Sequence, residues 1–123
     1  MIGKIYTART PFYNQITQQM DYKARPALVL AKADTDDYIV LPVSSISISS
    51  NIDPIYDIKI DPTLYPKLNL KTTSYVRTHK QTVVHRANLR SEIGDLKSDY
   101  EDLYLEILEK REKFSNSITQ QAF

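Results

Sequence analysis

Pro26-Ala-Leu-Val-Leu-Ala-Lys32 and Tyr38-Ile-Val-Leu-Pro-Val43, separated by the polar run Asp34-Thr-Asp-Asp37, decide the fold class. Both apolar runs have strand length. Val29 and Leu30 suit a buried central strand, and Pro26, which has no N–H for a ladder, fits its first position. Two such strands joined by a short polar turn predict an antiparallel hairpin. A hairpin returns the chain to its start, so Arg25, before the first strand, and Ser44, after the second, fall at the same end of the sheet if the register allows it.

Working outward, residues 2–8 (IGKIYTA) read as a short strand bounded by Pro11, with residues 10–24 as a loop leading to the hairpin. Residues 55–60 alternate, with Tyr56, Ile58 and Ile60 on one face and Asp57 and Lys59 on the other. Two further β-branched stretches lie at 73–78 and 81–84. The period then changes. Ser98 and Glu101 have capping-box spacing, and Tyr100, Leu103, Tyr104, Ile107, Leu108 and Arg111 form one stripe on a helix of about four turns. Acids crowd the first turn of that helix and bases its end, as the helix dipole favours. An amphipathic stripe of this kind packs on its own sheet. The fold class is therefore β-rich (α+β), a strongly bent antiparallel sheet or small barrel closed by a C-terminal helix. The expected organisation is a single domain over residues 1–114, followed by a polar, frayed tail at 115–123.

Composition removes several functions. Among 123 residues there is no cysteine, hence neither a disulfide framework nor a thiolate metal site. The two glycines, Gly3 and Gly94, cannot build a glycine-rich phosphate loop or a dinucleotide fingerprint. His79 and His85 stand without HExxH or a nearby carboxylate cluster, and Asp34, Asp36 and Asp37 lack the glycine and distant glutamate of a calcium loop. No metal or cofactor is expected. The N-terminus has no long apolar segment of the secretory kind, and no stretch approaches the roughly 20 apolar residues of a membrane helix, so the expected place is the cytoplasm, away from membranes.

Net charge is only +1, but it is segregated. Residues 1–33 carry +4, 34–61 carry −5, 62–91 carry +6 with no acid at all, and 92–123 carry −4. Such blocks build a cationic face on a nearly neutral protein, unless folding intermixes them.

Three features remain for chemistry. Lys23-Ala-Arg25-Pro26 sets an arginine in a partly desolvated position beside a buried strand, where its planar fork matches a phosphate; a surface or salt-bridging arginine is the plainer reading. Ser44-Ser45 brings hydroxyls to the same end. An arginine beside a hydroxyl can hold a phosphodiester and stabilise charge that builds on it, and phosphoryl transfer needs mainly positioning and charge stabilisation. In RNA the 2′-hydroxyl is itself a nucleophile, so the protein need not supply one. Within Ser74-Tyr-Val-Arg-Thr-His-Lys80, alternation sets Tyr75, Arg77 and His79 on one face, and His79 is of the class that titrates near neutrality.

The order of motifs resembles the MazF/PemK toxin family. Gly3-Lys-Ile-Tyr6 is similar to that family's opening strand, and Arg25-Pro-Ala-Leu-Val-Leu30 to its arginine–proline strand. Ile39-Val-Leu-Pro-Val-Ser44-Ser45 is similar to its proline strand ending in hydroxyls. Ser74 to Val84 resembles the segment that carries its second arginine, and Asn88-Leu89 with Ile93-Gly-Asp-Leu96 its closing strand. The likeness covers about residues 2–110. It implies an SH3-like barrel working as a homodimer, and a metal-independent endoribonuclease that cuts single-stranded RNA at short sequences. The implied products carry 2′,3′-cyclic phosphate and 5′-hydroxyl ends. It also implies a cognate antitoxin with an acidic, partly disordered segment, and operator DNA reached only through that antitoxin. By resemblance Arg25 and Ser44 are the catalytic pair, and Lys23, Ser45, Arg77, His79 and Lys80 line the RNA path. This chain departs from the family in the loop 10–24, which lacks the usual glycines and holds Phe12, Tyr13 and Tyr22 instead. The alternatives are a non-catalytic SH3-like module binding an antitoxin-like peptide or nucleic acid, and a DNA-binding protein of a mobile element.

Overall fold

The computed structural model describes all residues, 1–123. In chain order it contains β1 (Lys4–Asn14), β2 (Gln19–Lys32), β3 (Asp37–Ser44), β4 (Asp57–Ile60), β5 (Ser74–Arg77), β6 (Thr82–His85), β7 (Leu89–Asp95), the one-turn α1 (Leu96–Asp99) and α2 (Glu101–Ala122), with three short 3-10 turns. The strands run antiparallel in the order β4-β5-β3-β2-β1-β7, with β6 also on β3. The sheet curls into an open, SH3-like small barrel, and α2 closes it.

The β2–β3 hairpin forms as the sequence predicts. Ala27 pairs with Pro42, Leu28 with Leu41 and Val29 with Val40; a bulge at Leu30 then shifts the register to Ala31 with Ile39. Leu28, Leu41 and Val43 face the main core, whereas Ala27, Val29 and Val40 face a smaller cluster with Ala8 and Tyr38 on the opposite side of the sheet. The far edge of β3 is shared. Its C-terminal end pairs with β5, Val43 to Val76 and Ser44 to Tyr75, and its N-terminal end with β6, Val40 to Thr82 and Asp37 to His85. Between the two, the chain turns at 78–81, which lets the sheet bend round the corner of the barrel.

Three sequence expectations change. Residues 10–24 are not a loop: β1 and β2 continue as a two-stranded arm, with Thr10 paired to Lys23 and Asn14 to Gln19. The Asn14 Oδ1 accepts from the backbone of Ile16 and Thr17 at 3.0 and 3.3 Å, and Gln18 takes a left-handed φ of 57°, so the chain reverses without glycine. Ser98 is not the cap of the long helix. Asp95 caps α1 by accepting from the Ser98 N–H at 3.1 Å, and α2 begins afresh after Tyr100. The polar tail continues the helix: α2 runs 22 residues to Ala122, about six turns rather than four. Phe114, three residues beyond Arg111 on the same stripe, is packed edge-on against Tyr56 at 5.1 Å and anchors this part of the helix on the barrel.

Leu103, Tyr104 and Ile107 bury the helix stripe against Ile5, Leu28, Leu41, Ile58, Ile60 and Val76. Burial pushes the Tyr104 hydroxyl pKa above its ordinary value. Gly94 on β7 is required by a close approach, because a Cβ there would lie 2.8 Å from the Leu68 Cα. Ile107 is fully buried and Leu105 is 53% exposed on the same helix. Ile107→Ala is expected to lower unfolding free energy by about 2–5 kcal/mol, and Leu105→Ala to change it by less than about 0.5 kcal/mol, as read by urea denaturation.

Candidate active site

The register of the central hairpin carries the site. The ladder begins at the Ala27–Pro42 pair, so Arg25 and Ser44 each lie two residues beyond it at the same end of the sheet. Both residues line two adjoining hollows. One is a groove of about 450 Å³ floored by Ala8, Ala27, Val40 and Pro42 and walled by Thr82, Val83, His85 and Asn88. The other, of about 380 Å³, lies between Arg25, Ser44, Ser45, the connection through Ile46 and Ile48 to Asn51, and Arg77. Arg25 and Ser44 thus form the rim where the two meet.

Arg25 is exposed, not partly desolvated: its backbone has left the central hairpin for the arm, and burial begins only at Ala27. No carboxylate stands within ion-pair distance of its guanidinium, so its donors face solvent. Ser44 is half-buried at the end of β3. Ser45 exchanges a hydrogen bond of 2.7 Å with Thr72 through their hydroxyls.

Arg77 is held differently. Along β5 the alternation is as read from the sequence, with Ser74 and Val76 buried and Tyr75 and Arg77 half-exposed. The Arg77 Nε donates to Asp57 Oδ1 at 3.1 Å, and its Nη2 donates to Asp57 Oδ2 at 3.3 Å and to the Asn51 carbonyl at 3.2 Å. The Asp57 side chain is fully buried, although strand alternation sets it on the outward face of β4; Arg77 and the preceding loop cover it. That loop is pinned by Asp53, whose carboxylate accepts from the N–H groups of Ile55 and Tyr56 at 2.9 Å each.

The remaining predicted residues do not join this rim. The His79 ring is packed toward α2, with centroids 5.9 Å from Tyr56 and 6.1 Å from Phe114, and its Nδ1 sits 3.8 Å from Asp57 Oδ1 without a hydrogen bond. Lys80 is exposed on the turn between β5 and β6 and lines neither hollow. Lys23 lies on the arm, its Nζ 4.3 Å from the Phe12 ring centroid. Conversely, Arg9, His85 and Asn88 line the groove and were not among the sequence candidates. His85 Nδ1 accepts from the Ala87 N–H at 3.0 Å, which in the neutral ring places the proton on Nε2. The clue to both His85 and Asn88 was the acid-free block 62–91; nothing local to either residue marked it.

A family model described as PemK-like, MazF-like toxin of type II toxin-antitoxin system matches residues 2–110. The chain belongs to this toxin family. A comparison with curated proteins returns no match. Membership supports an endoribonuclease-toxin role and implies an antitoxin as partner. No helix of this PemK-like chain is long and apolar enough to cross a membrane.

The Asp53 carboxyl is held below its ordinary value of 3.8, first by the Tyr56 N–H and then by the Ile55 N–H. A depressed folded-state pKa contributes stability above the unfolded value, and that contribution is lost as pH falls through the folded value. Asp53→Asn is therefore expected to be destabilising at neutral pH and to flatten the loss of stability below about pH 4, measured as thermal midpoint against pH.

Proposed function

We propose that this toxin is a metal-independent, sequence-specific endoribonuclease acting on single-stranded RNA in the cytoplasm, with Arg25 and Ser44 as its catalytic pair. The single observation supporting this most strongly is a guanidinium without a carboxylate partner that shares with a serine the rim of two solvent-open hollows.

At that rim the scissile phosphate spans from one hollow to the other. The substrate's 2′-hydroxyl attacks the adjacent phosphorus and gives its proton to solvent water, the bond to the 5′-oxygen breaks as that oxygen takes a proton from water, and the products are a 2′,3′-cyclic phosphate and a 5′-hydroxyl. Negative charge grows on the non-bridging oxygens during this step. Arg25 donates to them with a planar fork and Ser44 with its hydroxyl, so both act most strongly where charge is greatest. Arg25 does this at little cost because no protein carboxylate has to be displaced first. Ser45 and Arg77 take the neighbouring phosphate on the second hollow, and Lys23 on the arm meets the strand farther along. Lys80 serves an outer part of the path. His79 has no place in contact with RNA in this scheme, because its ring is packed between Tyr56 and Phe114.

The cationic, open groove also suits an acidic, partly disordered antitoxin segment, which would neutralise the toxin by occupying the RNA path. The functional unit is a homodimer, and operator DNA is reached only through the antitoxin.

Long single-stranded RNA incubated with the protein in EDTA is expected to be cut at a short recurring sequence. Arg25→Ala is expected to lower kcat by about 100- to 1,000-fold, in line with the loss of one donor to a developing oxyanion, with Ser44→Ala lower by a similar or smaller factor. Mapping fragment ends reads both effects. Cutting that persists in Arg25→Ala would remove Arg25 from the mechanism, and no cutting by the wild type would leave an RNA- or peptide-binding module.

A further inference from the structure

Two arginines face the second hollow, and they are held in opposite ways. Arg25 is free in solvent. Arg77 is clamped by two parallel hydrogen bonds to a carboxylate whose side chain is fully buried, with a third bond to the Asn51 carbonyl on the wall of the same hollow. The clamp is itself fixed from behind: Asp57 Oδ2 accepts from the Asp53 N–H at 2.7 Å. Every oxygen of Asp57 is thus engaged, and its charge faces Arg77 on one side and the His79 ring on the other.

We infer that Asp57 is a positioning residue for RNA binding: its buried carboxylate fixes the Arg77 guanidinium on the wall of the second hollow, where that guanidinium takes a substrate phosphate next to the scissile one. The inference rests on the proposed ribonuclease reading. Its physical basis is geometric. With Nε and Nη2 donating to Asp57 and Asn51, the Nη1 N–H groups have no protein partner and remain available to a ligand, and Arg77 keeps 23% of its side chain exposed while Asp57 keeps none. A long side chain fixed in advance loses less freedom when it meets a phosphate. A lysine could supply the charge at this position but not the fork.

Asp57 is an acid near an RNA path, and on charge alone its removal should tighten RNA binding. A positioning role demands the reverse. The test uses a labelled single-stranded 2′-O-methyl oligoribonucleotide, which lacks the attacking hydroxyl, with affinity measured across a salt series. Arg77→Ala sets the baseline, and is expected to lower the slope of log affinity against log salt by about 0.7, the value of one single-strand phosphate contact. Asp57→Asn, which keeps side-chain size and removes one negative charge, is expected to bind about tenfold more weakly than wild type and to lose about the same 0.7 of slope. The double variant is expected to bind no more weakly than Arg77→Ala alone. Arg77→Lys keeps the charge and loses the fork, and is expected to behave as Arg77→Ala; it carries the test should Asp57→Asn not fold. Tighter or unchanged binding with unchanged slope in Asp57→Asn, or wild-type binding in Arg77→Lys, overturns the positioning role while leaving the ribonuclease reading intact. A wild type without salt-sensitive RNA binding overturns both.

Discussion

The backbone ladder of β3 is the constraint on which the rest of this structure depends. One edge of the strand pairs with β2, and the other is divided between β6 and β5. While β3 advances from Val43 to Val40, its partner runs from Val76 to Thr82, and the extra residues turn the corner of the barrel. Side chains on β3 alternate strictly, so Leu41 and Val43 enter the main core while Val40 and Pro42 face the groove. A slip of one residue would exchange those faces and carry Ser44 away from Arg25. Core and site therefore share one register, and a sequence that buries Leu41 correctly also places the serine.

The site's cations illustrate two solutions to the same difficulty. A guanidinium needs its charge balanced or solvated. Arg25 is solvated, so it is available to a ligand but not held in place. Arg77 is balanced by Asp57, so it is held in place while its Nη1 is left without a protein partner. The buried carboxylate tolerates its position because Arg77 and the Asp53 N–H satisfy it together. Removing either partner leaves a group without compensation, which ties the loop before β4 to the geometry of the second hollow.

The two ends of the chain are elongated for different physical reasons. The β1–β2 arm has little core of its own, with Tyr13, Ile16, Met20 and Tyr22 exposed. It is maintained by its ladder and by two cation–aromatic contacts, Arg9 over Tyr22 at 3.7 Å and Lys23 over Phe12 at 4.3 Å. The C-terminal half of α2 instead rests on the barrel through Phe114, and through Arg111, whose Nε donates to Gln81 Oε1 at 2.8 Å on the turn before β6. The helix thus buttresses the turn between β5 and β6 from outside the site.

Much was determined by sequence alone. Apolar runs of strand length, a polar turn and a helical stripe are local patterns, and they specified the central hairpin and the face of α2 that Leu103, Tyr104 and Ile107 bury. The order of motifs likewise carried the family. Local pattern failed where long-range partners decide the outcome. The arm was hidden because its residues alternate weakly and pair only with each other across the turn. The continuation of α2 through 115–122 was hidden because those residues are mostly polar and carry no apolar stripe to mark a helix. His79 looked like a site residue by alternation, yet its ring is packed toward the helix. Asp57 looked like a solvated strand residue, yet it is buried beneath Arg77. Sequence sets which face of a strand a residue occupies, because alternation is intrinsic to the backbone; only the tertiary structure decides what covers that face, because the covering groups come from elsewhere in the chain.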